Sequence, residues 1–218
     1  MSRDGDEAGT APETNGITSR ILLLYVRRVG GALAVYRVLQ EADLADREDE
    51  LMDENYWFSY DEKIRLFKAA AAVLDDPEIM YHVGEVVLEL NVGEALKVAL
   101  RALGSPRLVY QNIVRANAKF SGAHKMEMLD IGSGHATLRY SDITDQQRYE
   151  PLDCQYNRGL LATIPQLFGL PRAEIDHPIC GCEGGDACVY LIHWEQGPNA
   201  MRAGIAGAVA SAVAIALA

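Results

Sequence analysis

The stretch KMEMLDIGSGHATLRY, from Lys125 to Tyr140, decides the fold class of this chain. Before Phe120, apolar residues recur at steps of three and four, which is typical of helices. Lys125–Ile131 and Ala136–Tyr140 are instead two short β-prone runs, and Gly132-Ser133-Gly134 between them suits the turn of a hairpin. The pattern therefore predicts two antiparallel strands where the helical pattern ends.

Downstream, one more helix and a second hairpin are predicted. The helix runs from about Cys154 to Phe168, and two strands follow at about Glu174–Cys182 and Ala187–Trp194, joined across Glu183-Gly184-Gly185-Asp186. Elements in this order predict an α+β fold, with N-terminal helices followed by a small antiparallel sheet and an intervening helix (β-hairpin, helix, β-hairpin).

The upstream helices are located by their boundary residues. A helical block begins near Ser59, and Ser105 is a good N-cap with Pro106 at the first helical position. The first helix starts at Ile17 and is expected to break at Gly30-Gly31. The apolar residues on one face of this helix are Leu22, Val26, Val29 and Leu33.

Composition and pattern divide the chain into four segments. Residues 1–16 are predicted to be a disordered leader and not a secretory signal, because they lack a basic start followed by an apolar stretch. Residues 17–58 form an N-terminal helical segment, and residues 59–196 form a ligand-binding domain. Residues 197–218 form a linker and an apolar helix, whose uncharged part, 203–218, is expected to enter a membrane. The alternative is an Ala-rich helix that packs on its own domain or on a partner, as in a homodimer.

The net charge of −11, from 20 basic and 31 acidic residues, argues against direct binding of nucleic acid, because a phosphate backbone attracts the opposite sign. Because no export signal is found, the chain is expected to be a cytoplasmic domain. Residues 203–218 could anchor this domain to the inner face of the cell membrane. In that reducing compartment the four cysteines favour metal ligation over disulfides.

Cys180, Cys182 and Cys188 lie within nine residues, with His177 just before them and Cys154 upstream. Thiolates and imidazole suit zinc, which takes four such ligands when its role is structural. Cys180 ends one predicted strand and Cys188 opens the next, so a short hairpin brings them together, and Cys154 approaches from the N-terminus of the intervening helix. His177 is an odd step from Cys180 along the strand, so it joins them only if the chain bends at Pro178. The residues predict a structural zinc site, and the alternative is a group of buried or unpaired thiols without a metal.

At these residues the sequence resembles the 4-vinyl reductase domain, which also forms the sensory part of aromatic-responsive regulators of the XylR and DmpR kind. The matching segments are CQYNRGLL (Cys154–Leu161), HPIC (His177–Cys180) and GGDACVY (Gly184–Tyr190). The resemblance implies zinc ligands at Cys154, Cys180 and Cys188, with His177 at the place of the usual glutamate. Cys182 lies outside the pattern, as a spare thiol or an alternative ligand.

The longer stretch Ile21–Trp194 looks like the N-terminal sensor region of some actinobacterial signalling proteins. This resemblance implies a non-enzymatic input module, in which a small apolar or aromatic ligand binds between the helices and the sheet. We expect a homodimer, and an output domain in a longer parent chain.

Other interpretations remain open. Met128–Ala136 resembles the first motif of S-adenosylmethionine methyltransferases, but Ala136 replaces the third glycine and the residues after it are β-prone. A metal-stabilised interaction or dimerisation domain is a third possibility. His82 is a candidate haem ligand in a gas sensor, although a single histidine on a helix is usually an ordinary residue. The aromatic residues that could line a ligand pocket are Trp57, Phe58 and Tyr60.

Overall fold

The predicted α+β class is confirmed by the computed structural model of the protein, which describes residues 12–90, 94–144 and 146–196. The α-helices are α1 (Ile17–Glu41), α2 (Glu48–Leu51), α3 (Tyr60–Leu74), α4 (Ile79–Glu85), α5 (Glu94–Ala102), α6 (Pro106–Ala116) and α7 (Pro151–Thr163). The strands are β1 (Thr14–Asn15), β2 (Trp57–Phe58), β3 (His124–Ile131), β4 (His135–Asp142), β5 (Glu174–Ile179) and β6 (Cys188–His193).

The larger sheet is antiparallel and has the strand order β3-β4-β6-β5. β4 lies at its centre beside β6, so the two hairpins of the sequence join through their second strands. A second sheet pairs β1 with β2, and Thr14 lies opposite Phe58. The sequence assigned Thr14 to the leader, because a strand of two residues is too short to show a period.

Helix α1 contains a kink at Gly31, whose φ of 76° favours glycine. Before the kink the prediction is correct for Leu22 and Val26, which are both 0% exposed, and wrong for Val29, which is 59% exposed. After the kink the prediction is wrong, because Leu33 is 71% exposed. The changed backbone direction rotates the buried stripe, which continues at Ala34, Val35, Val38 and Leu39.

Two apolar cores lie side by side. One joins α1, α3 and α4, and the other lies between the larger sheet, α6 and α7. Helices α4 and α7 cross at Gly84 and Gly159, where a Cβ on Gly159 would lie 2.2 Å from the carbonyl oxygen of Tyr81. The two backbones therefore touch, and this contact fixes α7 between the two cores.

Residues 203–218, the predicted membrane helix, lie outside the described residues. Of the helices that the structure does describe, none is both long enough and apolar enough to cross a bilayer.

Candidate functional site

The four predicted ligands come together at one end of the larger sheet. Their ligand atoms all lie within 4.8 Å of one another. Cys154 lies in the first turn of α7, His177 in β5, Cys180 just after β5, and Cys188 at the start of β6. The Sγ of Cys154 is 3.5 Å from that of Cys188 and 3.9 Å from that of Cys180.

Cys182 lies beside this group of four. It belongs to a short 3-10 turn, Gly181–Glu183, between β5 and β6. Its Sγ lies 3.7 Å from the Sγ of Cys154, and the residue is half-buried whereas Cys154 is buried. Cys182 is therefore a fifth possible donor, outside the set whose ligand atoms are mutually close.

The electrostatics of the cluster favour a thiolate at Cys188. A hydrogen bond from Cys154 lowers the pKa of the Cys188 thiol to about 4, against burial, and a hydrogen bond from the Gly181 N–H assists. The same contact with Cys188, together with burial, raises the pKa of Cys154 far above its ordinary value. The cluster thus combines one stabilised thiolate with neighbouring thiols, a donor set that suits soft and borderline metal ions.

His177 contributes a buried nitrogen. Its ring stacks on Tyr190 with the centroids 4.6 Å apart. Its Nε2 is buried and has no hydrogen-bond partner among the described residues. A buried polar atom without a partner is unusual and calls for an unseen partner such as an ion or water.

A cavity of about 220 Å³ lies between α1, α6, α7 and the larger sheet. Its exposed lining is almost entirely apolar. The main apolar wall residues are Ile21 of α1, Val109 and Ile113 of α6, Leu160 of α7, and Ile164 and Leu167 of the turn after α7.

A buried ion pair forms part of the cavity wall. The Nζ of Lys63 lies 2.6 Å from Oδ1 of Asp153, and the two side chains are 8% and 4% exposed. The hydroxyl of Tyr140 donates to Oδ2 of Asp153 over 2.9 Å. Burial alone would raise the pKa of the Asp153 carboxyl, but the Lys63 charge and these hydrogen bonds outweigh it, so the pKa lies below its ordinary value.

The cavity and the cysteine cluster meet at the first turn of α7. Asp153 lines the cavity and the next residue, Cys154, belongs to the cluster. Sequence reasoning missed both Asp153 and Lys63. A signal existed for the lysine, since it shares one face of α3 with Tyr60 and Phe67, where an apolar residue is expected.

The remaining candidates from the sequence lie elsewhere. The Nδ1 of His82 is 2.9 Å from Oδ2 of Asp76, outside the cavity. Trp57 and Phe58 form β2, and Tyr60 packs in the helical core, so none of these aromatic residues lines the cavity.

The glycines of the methyltransferase-like stretch form the turn between β3 and β4. The N–H of Gly132 donates to the carbonyl of His135, closing the hairpin. A strand therefore follows this loop, whereas the methyltransferase motif needs a helix there.

Comparison with solved structures shows that the fold is similar to that of H-NOX proteins. The Fe(II) unliganded H-NOX protein from K. algicida has a TM-score of 0.63 and 15% identity, covering 84% of this chain and 98% of its own. The S. oneidensis H-NOX protein in the Fe(II)NO state has a TM-score of 0.63 and 17% identity, covering 84% and 99%. An oxygen-binding H-NOX domain related to soluble guanylate cyclases has a TM-score of 0.57 and 13% identity, covering 84% and 95%.

The sequence matches no family model, and no curated protein matches it. The resemblance to the 4-vinyl reductase domain is wrong, because the solved structures described above, whose fold this chain shares, are H-NOX domains. The segments on which the resemblance was based form the start of a helix and a hairpin. A match over such short structural elements involves few residues and does not by itself identify a family.

The prediction of structural zinc as the cofactor is also wrong. The neighbouring structures hold Fe(II), and a further neighbour concerns heme distortion in the H-NOX family. The four clustered residues could hold a metal ion, but neither their geometry nor the neighbouring structures identify that ion as zinc. Thiolate and imidazole chemistry could not identify the ion from sequence, because several metals accept these ligands.

The described residues of the cavity wall do not fit heme. Haem iron is held by His, Cys thiolate, Tyr or a Met/His pair, and the described cavity wall contains neither His nor Cys. The Tyr140 hydroxyl is bonded to Asp153, and burial raises its pKa well above the ordinary value. Burial also raises the pKa of Tyr156 to about 12. Binding of iron by either phenol would therefore require loss of its proton, and for Tyr140 also loss of the hydrogen bond to Asp153.

The histidine next to the cavity is also engaged. The ring of His124 stacks on Tyr140 with the centroids 4.6 Å apart, and its Nε2 lies 2.7 Å from the carbonyl oxygen of Arg148. It does not line the cavity.

Proposed function

We propose that this chain is a sensing module of a signalling protein, which binds a small, largely apolar molecule in the cavity between its helices and its larger sheet. The observation that carries this proposal is the apolar cavity of about 220 Å³. An apolar cavity of roughly 150 Å³ admits benzene, so the space suits a molecule larger than one aromatic ring. The H-NOX neighbours with NO and oxygen support small-molecule binding by this fold.

The ion pair in the cavity wall favours an uncharged ligand. The charges of Lys63 and Asp153 neutralise each other, and the hydroxyl of Tyr140 already donates its hydrogen bond to Asp153. A charged ligand would have to compete with this buried pair, whereas an apolar ligand gains about 25 cal/mol for each Å² of apolar surface that it removes from water.

Binding of the neutral fluorescent probe N-phenyl-1-naphthylamine tests this proposal. Ile113→Trp places a large ring in the cavity, and we expect it to weaken probe binding by at least about tenfold, which corresponds to roughly 1.4 kcal/mol. The matched control is Leu108→Trp on the same helix, at a side chain that is 42% exposed. Equal binding by both variants would contradict the cavity site. Native mass spectrometry of the purified chain identifies a retained ligand.

A heme-dependent gas sensor is the second candidate, favoured by the iron in the neighbouring structures. The lack of an axial ligand in the described cavity wall speaks against it. Titration with hemin separates the two functions. We expect no saturable Soret absorption. A 1:1 heme complex that Tyr140→Phe abolishes would make Tyr140 the iron ligand and would favour the heme sensor.

We also propose that Cys154, His177, Cys180 and Cys188 bind one metal ion, which ties the β5–β6 hairpin to α7. A tetrahedral metal with bonds of about 2.3 Å to sulfur separates its sulfur ligands by about 3.8 Å. The Sγ of Cys154 lies 3.5 and 3.9 Å from its two sulfur neighbours in the set. The unpartnered Nε2 of His177 supplies the fourth donor.

Transmission to an output domain, homodimerisation and membrane anchoring through residues 203–218 stay predictions. Cell fractionation of the chain with and without residues 203–218 tests the anchoring. Recovery of the two forms in the same fraction, without detergent, would contradict it.

A further inference from the structure

Three asparagine side chains line the described wall of the apolar cavity. The Nδ2 of Asn112 donates to the carbonyl oxygen of Leu108 over 2.8 Å. The Nδ2 of Asn117 donates to the carbonyl oxygen of His124, also over 2.8 Å. The Nδ2 of Asn157 is buried and has no hydrogen-bond partner among the described residues. Asn157 therefore differs from the other two in having an N–H donor that no described residue accepts.

Asn157 belongs to a row of α7 side chains that line the cavity. Asp153, Asn157 and Leu160 follow one another at steps of four and three residues, which places them on one face of the helix. Asp153 is already bonded to Lys63 and Tyr140, and Leu160 is apolar. Asn157 itself is only 7% exposed. It is therefore the residue of this row that can still donate a hydrogen bond to a molecule in the cavity.

The nearby hydroxyl of Tyr190 does not satisfy the Asn157 amide. Burial raises the pKa of Tyr190 well above its ordinary value, and the Asn157 amide opposes that rise. The Tyr190 hydroxyl is nevertheless also buried without a hydrogen-bond partner in the part of the chain that the structure describes. A buried N–H without an acceptor is costly, because it has lost its hydrogen bonds to water without a replacement.

We infer that Asn157 donates a hydrogen bond to the ligand, and that the ligand is a neutral carbonyl compound with an apolar body. This inference rests on the proposed function, because it names the class of molecule bound in the same cavity. A carbonyl oxygen accepts from an amide N–H and brings no charge into the wall. A hydrocarbon of the same shape would leave the Asn157 N–H unpaired. A carboxylate would place a second negative charge in the wall that already holds Asp153.

Two probes of nearly the same shape test the inference on the full chain. One is 1-indanone, which has a ketone, and the other is indane, which has a CH₂ group in its place. Calorimetry measures the Kd of each. Asn157→Leu removes the amide with little change in volume, and we expect it to weaken binding of 1-indanone about tenfold relative to indane, the effect of one hydrogen bond. Asn112→Leu is the matched control, since its amide already donates within α6, and it should leave the ratio of the two Kd values unchanged.

The infrared carbonyl stretch of bound 1-indanone is a second measurement, and it needs no variant. A hydrogen bond from an N–H lowers this frequency relative to 1-indanone in an alkane solvent, and Asn157→Leu should remove the lowering. An unshifted frequency, or a ratio of Kd values that Asn157→Leu leaves unchanged, would overturn the inference and leave the cavity site in place. If Asn157→Leu binds neither probe, the frequency in the unsubstituted chain decides. Binding of neither probe by the unsubstituted chain would overturn the proposed function and this inference with it.

Discussion

Lys63 of α3 and Asp153 of α7 form a buried ion pair, with Nζ 2.6 Å from Oδ1. The Lys63 ammonium also lies over the ring of Tyr60, 4.7 Å from the centroid. Asp153 accepts a hydrogen bond from Tyr140 of β4. This group of contacts therefore joins α3, α7 and the larger sheet, in the wall of the cavity and one residue away from Cys154.

Removing one partner of this pair should be strongly destabilising. Lys63→Met leaves the Asp153 carboxylate buried without its counter-ion, which costs about 3–5 kcal/mol in the free energy of unfolding. The double variant Lys63→Met/Asp153→Asn should recover most of this loss, because no charge is then buried alone. Urea unfolding measures the free energy of unfolding of the unsubstituted chain, the single variant and the double variant.

The matched control is Lys68→Met, five residues further along α3. This variant breaks the ion pair between Lys68 and Glu150, in which the lysine side chain is 59% exposed. Its effect should stay within about 1 kcal/mol. Equal losses in Lys63→Met and Lys68→Met would contradict the expected cost of leaving the Asp153 carboxylate buried without its counter-ion.

The low pKa of Asp153 makes stability depend on acid pH. A carboxyl whose pKa is lowered by folding contributes stability above its unfolded pKa of about 3.9, and that contribution is lost as the pH falls through the folded value. The free energy of unfolding should therefore fall more steeply below about pH 4 in the unsubstituted chain than in Asp153→Asn. Parallel pH profiles of the two proteins would contradict this assignment.

The crossing of α4 and α7 should not tolerate a side chain at Gly159. Its Cβ would lie 2.2 Å from the Tyr81 carbonyl oxygen, a backbone atom that cannot move alone. Gly159→Ala should destabilise by about 1–3 kcal/mol through overpacking. Gly122→Ala is the control, since the nearest atom to its Cβ would be 3.5 Å away. Thermal unfolding compares the two, and similar melting temperatures would refute the close crossing.

Metal binding should depend on Cys188. Cys188→Ser removes a buried thiolate from the cluster, and we expect it to weaken Co²⁺ binding by at least about tenfold. A ligand that binds the folded state alone also raises its stability, so Co²⁺ should raise the melting temperature of the unsubstituted chain and not that of Cys188→Ser. An unchanged Co²⁺ titration in this variant would remove Cys188 from the ligand set.

The sequence correctly predicted those structural features, such as helix starts and the first hairpin, that depend on residues adjacent to each other in the chain. Ser59 caps α3, and its hydroxyl accepts from the N–H of Glu62. Ser105 caps α6 in the same way, with Pro106 at the first helical position. The change of period after Phe120 located the first hairpin, because a strand and a helix place apolar side chains at different intervals.

The cluster of Cys154, His177, Cys180 and Cys188 was also accessible to sequence reasoning. Three of its members lie on one hairpin, and chemistry singles out cysteine and histidine wherever they occur. The identity of the ion was not accessible, because the same donors serve several metals. The family was misassigned because the matching segments describe local geometry only.

Tertiary structure alone decided the rest. Beyond Gly31, whose φ is 76°, the buried face of α1 depends on the direction that the kink gives the helix. Lys63 and Asp153 are 90 residues apart in the chain, and no local period relates them. The cavity between α1, α6 and α7 follows from how these helices pack. Local patterns fix which residues form each helix or strand, whereas contacts between distant residues fix how the elements pack and therefore what the protein can bind.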